Sequence, residues 1–264
     1  MELLVRNNRL REFSGVNLTV GLGAAVNFER FGEVRTGYGD DRLTQLGDVD
    51  NHFVTGDGED IMRGGLAGDE MHGGTGNDTM LGQDGNDTLY GDDGDDMMRG
   101  HTGRDELYGG AGTASLYGDA GHDLLDGGAG NDLLEGGAGN DTLMGGPGSD
   151  TLYGGTGRDL LYGGGGADTF AFRTEAEANR DRIADFTGAD VISLAEIDAN
   201  TGQNGNQSFL FIGSERFSGT AGELRLIERG ANTVVAADTD GDGNTDFSFK
   251  VLGYTGLTES DFLL

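Results

Sequence analysis

An aspartate returns at a fixed nine-residue interval through the middle of this chain: Asp60, Asp69, Asp78, Asp87, Asp96, Asp105, Asp123, Asp132, Asp141, Asp150, Asp159 and Asp168. Carboxylates that do chemistry most often pass protons as a close pair or hold cations. Twelve acids on one period are far too many for a catalytic pair. They suit a row of sites for a hard cation, and the all-oxygen shell of six to eight ligands that such sites can supply is the one Ca²⁺ takes in preference to Mg²⁺.

Each aspartate is the sixth residue of a nonapeptide such as Gly73-Gly74-Thr75-Gly76-Asn77-Asp78-Thr79-Met80-Leu81, repeated thirteen times without a gap from Thr55 to Ala171. One copy breaks the rule, with Ala114 in the sixth place. The eighth place is always apolar, from Met62, Met71 and Met80 through Leu89 and Leu107 to Phe170. Glycines at the first, second and fourth places let the backbone take positive φ and keep side chains away from carbonyls that would face an ion. The last three residues suit a short strand whose middle side chain points opposite to its neighbours. Two nonapeptides then make one coil of a flattened right-handed spiral, and every second unit lies about 4.8 Å above its predecessor. One column would carry Asp60, Asp78, Asp96, Ala114, Asp132, Asp150 and Asp168, the other Asp69, Asp87, Asp105, Asp123, Asp141 and Asp159. Calcium is expected in the gaps between stacked turns, on the order of ten ions, with the two gaps beside Ala114 weak or empty.

The unit resembles the GGxGxDxUx pattern of the RTX (repeats-in-toxin) calcium-binding proteins. The resemblance implies an all-β, right-handed parallel β-roll and a secreted protein.

Composition is consistent with a fold that needs metal. The chain has 264 residues, 53 of them Gly, and a formal net charge of −30. Without a bound cation it has the solvated, weakly hydrophobic character of a disordered polyanion, and metal sites of this kind are usually coupled to folding. So negative a balance disfavours nucleic acid and anionic membranes as partners. No stretch is apolar enough to insert in a bilayer, and zero Cys excludes disulfides and thiolate-bound zinc.

Residues 1–54 read as degenerate N-terminal coils. Thr36 to Leu43 match the unit, making Asp41 a further candidate ligand, and Leu46 to Val54 keep Phe53 in the apolar slot. Val16 to Val20, with Phe28 and Phe31, suit strands that cap the spiral, as repeat stacks require. Residues 55–171 are the array. Residues 172–264 read as short β-rich runs forming a sandwich-like cap. Through Gly166-Ala167-Asp168-Thr169-Phe170, Asp181 to Phe186, Ile197 to Asn200 and Phe217 to Leu224, this part resembles the C-terminal domain of the serralysin family of secreted proteases. Met1 to Arg11 lack an apolar stretch of signal-peptide length. The address is expected in the tail Glu259-Ser260-Asp261-Phe262-Leu263-Leu264, which resembles the uncleaved signal of type I secretion substrates. The type I machinery is then a partner.

Catalysis is not expected. Serralysins use zinc held by HExxH, and His52, His72, His101 and His122 all stand outside that motif; His72, His101 and His122, at the ninth, second and fifth places of their units, read as exposed variation. A G-x-S-x-G elbow is also missing. A separate acidic loop, Asp238-Thr239-Asp240-Gly241-Asp242-Gly243-Asn244-Thr245-Asp246, fits D-x-D-x-D-G-x-x-D. Asp238, Asp240, Asp242 and Asp246 are candidate ligands for one more Ca²⁺, although Phe249 stands where an EF-hand has its bidentate Glu. A plain β-hairpin is the alternative. Two other functional readings stay open. Tyr90, Tyr108, Tyr117, Tyr153 and Tyr162, all at the ninth place, could stack on a uronate polysaccharide, or the chain could be the non-catalytic tail of a secreted protease or other hydrolase.

Overall fold

The computed structural model describes residues 17–19, 25–28, 33–45 and 50–264. Val16, Val20, Phe31 and Leu46, expected in the lead-in coils, lie outside them. The chain divides within the array into two compact units, Met1–Leu133 and Leu134–Leu264.

In the first unit the strands form two parallel sheets. One runs through Asn17–Thr19, Glu33–Arg35, His52–Val54, Glu70–Thr75, Thr88–Asp93, Glu106–Tyr108 and Leu124–Asp126; the other through Ala25–Phe28, Arg42–Gln45, Ile61–Arg63, Thr79–Asp84, Met97–Gly103 and Ser115–Gly121. Alternate nonapeptides therefore feed opposite sheets, as the nine-residue period requires of a two-unit coil. The register is strict. Met80 stands beside Met98 and Met98 beside Leu116, while Leu89 stands beside Leu107 and Leu107 beside Leu125. This is the parallel β-roll expected from the repeat.

Many strands are longer than the three residues expected, with Thr79–Asp84 spanning six and Met97–Gly103 seven. The reason lies in the turns, which continue the strand ladder. Gly58 N–H donates to the Thr75 carbonyl at 2.8 Å, and Thr75 N–H to that of Gly56 at 2.9 Å. Along Thr79–Asp84 burial alternates with period two, so that Asp78, Met80 and Gly82 all point inward. Every apolar eighth residue of the array is fully buried.

In the second unit one sheet orders Thr142–Gly148, Leu160–Gly166, Arg182–Ile183, Phe247–Val251, Asn232–Asp238, Glu223–Arg229 and Leu210–Gly213. The other orders Thr151–Gly157, Thr169–Ala171, Val191–Ser193 and Phe262–Leu263. The cap is thus built onto the two sheets of the roll. An antiparallel meander of three strands joins one sheet through the parallel pair Ile183 and Val251, and the chain's last strand joins the other beside Ile192. Aromatic pairs fill the space between, with Phe172 on Phe249 at 4.9 Å and Phe211 on Phe262 at 5.8 Å. A four-residue helix, Glu175–Ala178, follows the array, with Thr174 Oγ1 accepting from Glu177 N–H. Its signal was the T-x-x-E spacing of a helix start. Among the described residues no helix is long and apolar enough to cross a membrane.

Since each core side chain is shared only between stacked neighbours, the core is thin and a cavity cannot be filled from elsewhere. Leu107→Ala should lower unfolding stability in excess calcium by about 2–5 kcal/mol, measured by urea denaturation; a loss under 1 kcal/mol would show that the stack relaxes around the gap.

Candidate metal centres

All twelve array aspartates are at most 3% exposed. Their strands place them on the inner side of each turn, and the turns bind them in a repeating way. Through the first unit the backbone N–H of a turn's sixth residue donates to Oδ1 where an aspartate stands one turn above: Asp60 to Asp78 at 2.7 Å, Asp78 to Asp96 at 2.8 Å, Asp69 to Asp87 at 2.7 Å, Asp87 to Asp105 at 2.8 Å. In the second unit Asp141 donates to Asp159 at 2.8 Å and Asp150 to Asp168 at 3.0 Å. The two columns expected from sequence are therefore brought together within each unit.

The second carboxylate oxygen is what this ladder leaves over. Oδ2 of Asp78, Asp87, Asp96, Asp105 and Asp159 is buried, and no protein donor reaches it. A buried polar atom without a partner costs about 1–3 kcal/mol, and more when charged. Beside each one the repeat has placed a glycine. A Cβ at Gly73 would run into Asp78 Oδ2 and come within 2.8 Å of the Gly91 carbonyl, and one at Gly91 would meet Asp96 Oδ2 and the Gly109 carbonyl. At Gly136 it would meet the Gly154 carbonyl at 2.5 Å and Asp141 Oδ2 at 2.8 Å. The first-place glycine thus keeps open a small space edged by a carboxylate oxygen and a carbonyl oxygen. Oxygen donors of this kind, negative and close-set, fit Ca²⁺.

Electrostatics agree. Burial, followed by the charges of the stacked neighbours, pushes the carboxyls of Asp78, Asp87 and Asp105 up to about 7. Asp159 also rises to about 7. Asp96 rises to about 6, by burial and then by the charges of Asp92 and Asp95. Without a cation these groups resist ionisation at neutral pH.

Ala114 keeps the backbone link, donating to Asp132 Oδ1 at 2.8 Å, but puts a methyl where the carboxylate would be. A Cβ at Gly109 would meet that methyl at 2.7 Å.

The columns extend beyond the array, which the sequence reading missed on the C-terminal side. Asp159 N–H donates to Asp181 Oδ1 at 2.7 Å and Asp168 N–H to Asp190 Oδ1 at 3.0 Å, across twenty-two residues in place of eighteen. Asp181 Oδ2 is buried with no protein donor, and its carboxyl is pushed up to about 8 by burial and by Asp159. The signal was the triplets Asp181-Arg182-Ile183 and Asp190-Val191-Ile192, which resume the nine-residue spacing after the helix. On the N-terminal side Asp41 does stand in its column, its N–H on Asp60 Oδ1 at 2.6 Å, and Asn51 takes the corresponding place in the other, 2.9 Å from Asp69 Oδ1.

The acidic loop joins two antiparallel strands, Asn232–Asp238 and Phe247–Val251. Ligand atoms of Asp238, Asp240 and Asp246 lie within 4.8 Å of one another. Asp242 is not among them; its carboxylate turns to Asn244, whose hydrogen bonds hold it below the usual range. Backbone N–H groups of Gly241 and Gly243 already occupy the two oxygens of Asp238, at 2.7 and 2.9 Å.

A parallel roll with inward carboxylate ladders facing glycine-lined spaces is a repeat protein of the calcium-binding class. The RTX calcium-binding nonapeptide repeat matches the chain in four copies, at residues 47–80, 72–107, 108–143 and 144–172. The chain therefore carries RTX calcium-binding repeats. Among curated proteins none matches it. Two of the similar solved structures are the AlgE6R3 subunit of the Azotobacter vinelandii mannuronan C5-epimerase and the extracellular lipase LipA of Serratia marcescens. The first is 28% identical, covering 53% of this chain and 78% of that one with a TM-score of 0.38. The second is 18% identical, covering 79% of this chain and 40% of the lipase with a TM-score of 0.28.

Two outcomes are expected. In a carboxyl raised from 3.8 toward 7 the folded state holds its proton more tightly than the unfolded state. The resulting destabilisation is complete above about pH 7, shrinks as pH falls, and vanishes below the unfolded value. Metal-free chain should hence gain β-structure on acidification from pH 7.5 to 4.5, while apparent calcium affinity declines; circular dichroism that is flat with pH would contradict this. Ala114→Asp should restore the broken column, adding up to two calcium ions by calorimetry and lowering the calcium midpoint of folding.

Proposed function

We propose that this chain is an extracellular calcium-folded module, exported unfolded and locked by calcium outside the cell. The observation that carries the reading is the pair of buried carboxylate columns, since stacked inward carboxylates, with Oδ2 of Asp78, Asp87, Asp96, Asp105 and Asp159 met by no protein donor, are poorly stable until cations enter. Each site filled to ten times its dissociation constant adds about 1.4 kcal/mol, and many such sites acting on one stack make folding steeply calcium-dependent. Weak extracellular calcium modules bind in the range of about 10⁻⁴ to 10⁻³ M, which leaves the repeats empty in cytosol and full outside.

In this reading the tail carries the address, although in the folded chain it is a strand of the cap. Phe262–Leu263 is a strand paired in parallel beside Val191–Ser193, and Phe262 is 7% exposed. A transporter reading this segment would have to read it before the cap forms. We assign the chain no catalytic role.

A second reading, binding of an anionic polysaccharide, draws on a different observation. Arg158, Arg180, Arg182 and Lys250, with Ser248, line one cavity of about 350 Å³. Four of the chain's seventeen cationic residues converge there, in a molecule of net charge −30. The tyrosines favour this reading less. The rings of Tyr90 and Tyr108 lie face to face at 5.0 Å and cover each other, Arg99 lies over Tyr117 and Arg173 over Tyr153.

Far-ultraviolet circular dichroism through a calcium titration should show a cooperative coil-to-β transition near millimolar calcium, with about ten ions bound by calorimetry. A native spectrum in excess chelator would overturn the calcium-folding reading. Retention on a polyuronate gel, lost in Arg182→Gln/Lys250→Gln and absent on a neutral glucan, would establish the second; retention unchanged in that variant would refute the cavity as its site.

A further inference from the structure

Three residues that the repeat separates in sequence meet on the outer face of the first unit. His52 and Glu70 are register partners on adjacent parallel strands, and His72 lies two residues beyond Glu70 on the same face. His72 Nε2 is 3.2 Å from Glu70 Oε1, and His52 Nε2 is 3.8 Å from the same oxygen. One ligand atom from each of the three lies within 4.8 Å of the others. Ligands about 2.0–2.2 Å from a tetrahedral ion stand roughly 3.3 Å apart, so the spacing is already close to what one ion would impose.

From this arrangement we propose a transition-metal site, distinct from the calcium columns, in which His52, Glu70 and His72 bind a divalent ion of the zinc class. Two imidazoles and one carboxylate suit zinc and its neighbours, whereas calcium takes oxygen donors. The carboxylate columns point into the roll, and this triad points out of it.

The surroundings hold the ligands in place. The ring of His72 stacks on Tyr90 at 4.5 Å with an interplanar angle of 12°, and Tyr90 stacks on Tyr108 at 5.0 Å. Tyr108 is tied through its hydroxyl to Glu106 at 2.9 Å. On the far side of the imidazole, Nδ1 of His72 is 3.7 Å from Asp92 Oδ2. At that distance Asp92 is an ion-pair neighbour of the ring and not a hydrogen-bond partner; a carboxylate behind the nitrogen that does not bind metal is the usual support of a zinc ligand, and a small turn of the ring on metal binding would bring it into that role. Asp92 occupies a second-place position, where most copies have Gly, at φ 69°. A bound ion would staple His52–Val54 to Glu70–Thr75, two neighbouring strands at the start of the array.

The test is a Zn²⁺ titration of the full chain in excess calcium, so that the columns are saturated before zinc is added. Calorimetry should find one zinc per chain, with affinity falling at least about tenfold in His52→Ala and in His72→Ala, and about tenfold in Asp92→Asn. His122→Ala should bind as the parent does. Co²⁺ in place of zinc should give the strong visible bands of a tetrahedral centre, absent from His72→Ala. Far-ultraviolet circular dichroism in calcium checks that each variant remains folded. Zinc that binds His72→Ala as tightly as the parent, or that further calcium displaces from the parent, would overturn the site.

Discussion

Carboxylates stacked one strand spacing apart repel one another, by about 1 kcal/mol in water and a few times that near a protein surface, and the array is organised around that repulsion. The roll cannot relieve it by turning the acids outward, because the period of two along each strand forces the sixth and eighth residues to the same side. An inward apolar residue thus commits its neighbour two places earlier to the interior as well. The backbone N–H of the turn below settles one oxygen of each acid. In Asp78, Asp87, Asp96, Asp105 and Asp159 the remaining oxygen meets no protein donor and is suited to a cation, which ties the hydrophobic core and the metal columns together.

Glycine acts here mainly by what it omits. At the first place it leaves room for a carboxylate oxygen, and at the second and fourth it lets turns approach so closely that a Cβ at Gly74 would strike the Gly56 carbonyl and one at Gly76 that of Gly58. Four copies put another residue at the second place, and Gln83, Asp92, His101 and Asp119 all sit at φ between 69° and 84°. Such a conformation costs roughly 1–2 kcal/mol per residue. The stack imposes it all the same, since the turns on either side fix where the backbone must pass.

Most of this was legible in the residues. The nine-residue period gave Met80 the inward place of a short strand, and the two-unit coil put Asp78 and Asp96 in one column; that Asp78 and Gly82 share the inner side with Met80 was not legible, because it depends on the turns continuing the strand ladder. The cap was legible as strands because Val234 to Ala237 and Phe247 to Leu252 are β-rich runs separated by turn residues. Asp181 and Asp190 escaped because a short helix lengthens the coil by four residues, so a search at fixed period stops at Asp168 although the chemistry continues. The triad of His52, Glu70 and His72 escaped for a different reason. Only the stacking of alternate units makes residues 52 and 70 neighbours, and none of the three occupies a place the repeat conserves for chemistry.

The hydrogen bonds of the columns all run one way: a turn gives its N–H to the carboxylate of the turn that follows it in sequence. A turn at the N-terminal edge of a partial stack therefore presents an acceptor oxygen, and one at the C-terminal edge presents a donor. Growth at the two edges is chemically different. A turn arriving at the acceptor edge docks by donating to a carboxylate that calcium has already helped to fix, while a turn arriving at the donor edge must bring its own carboxylate into line. Each stack of turns is in this sense polar, its two edges distinguished by the direction of its peptide bonds.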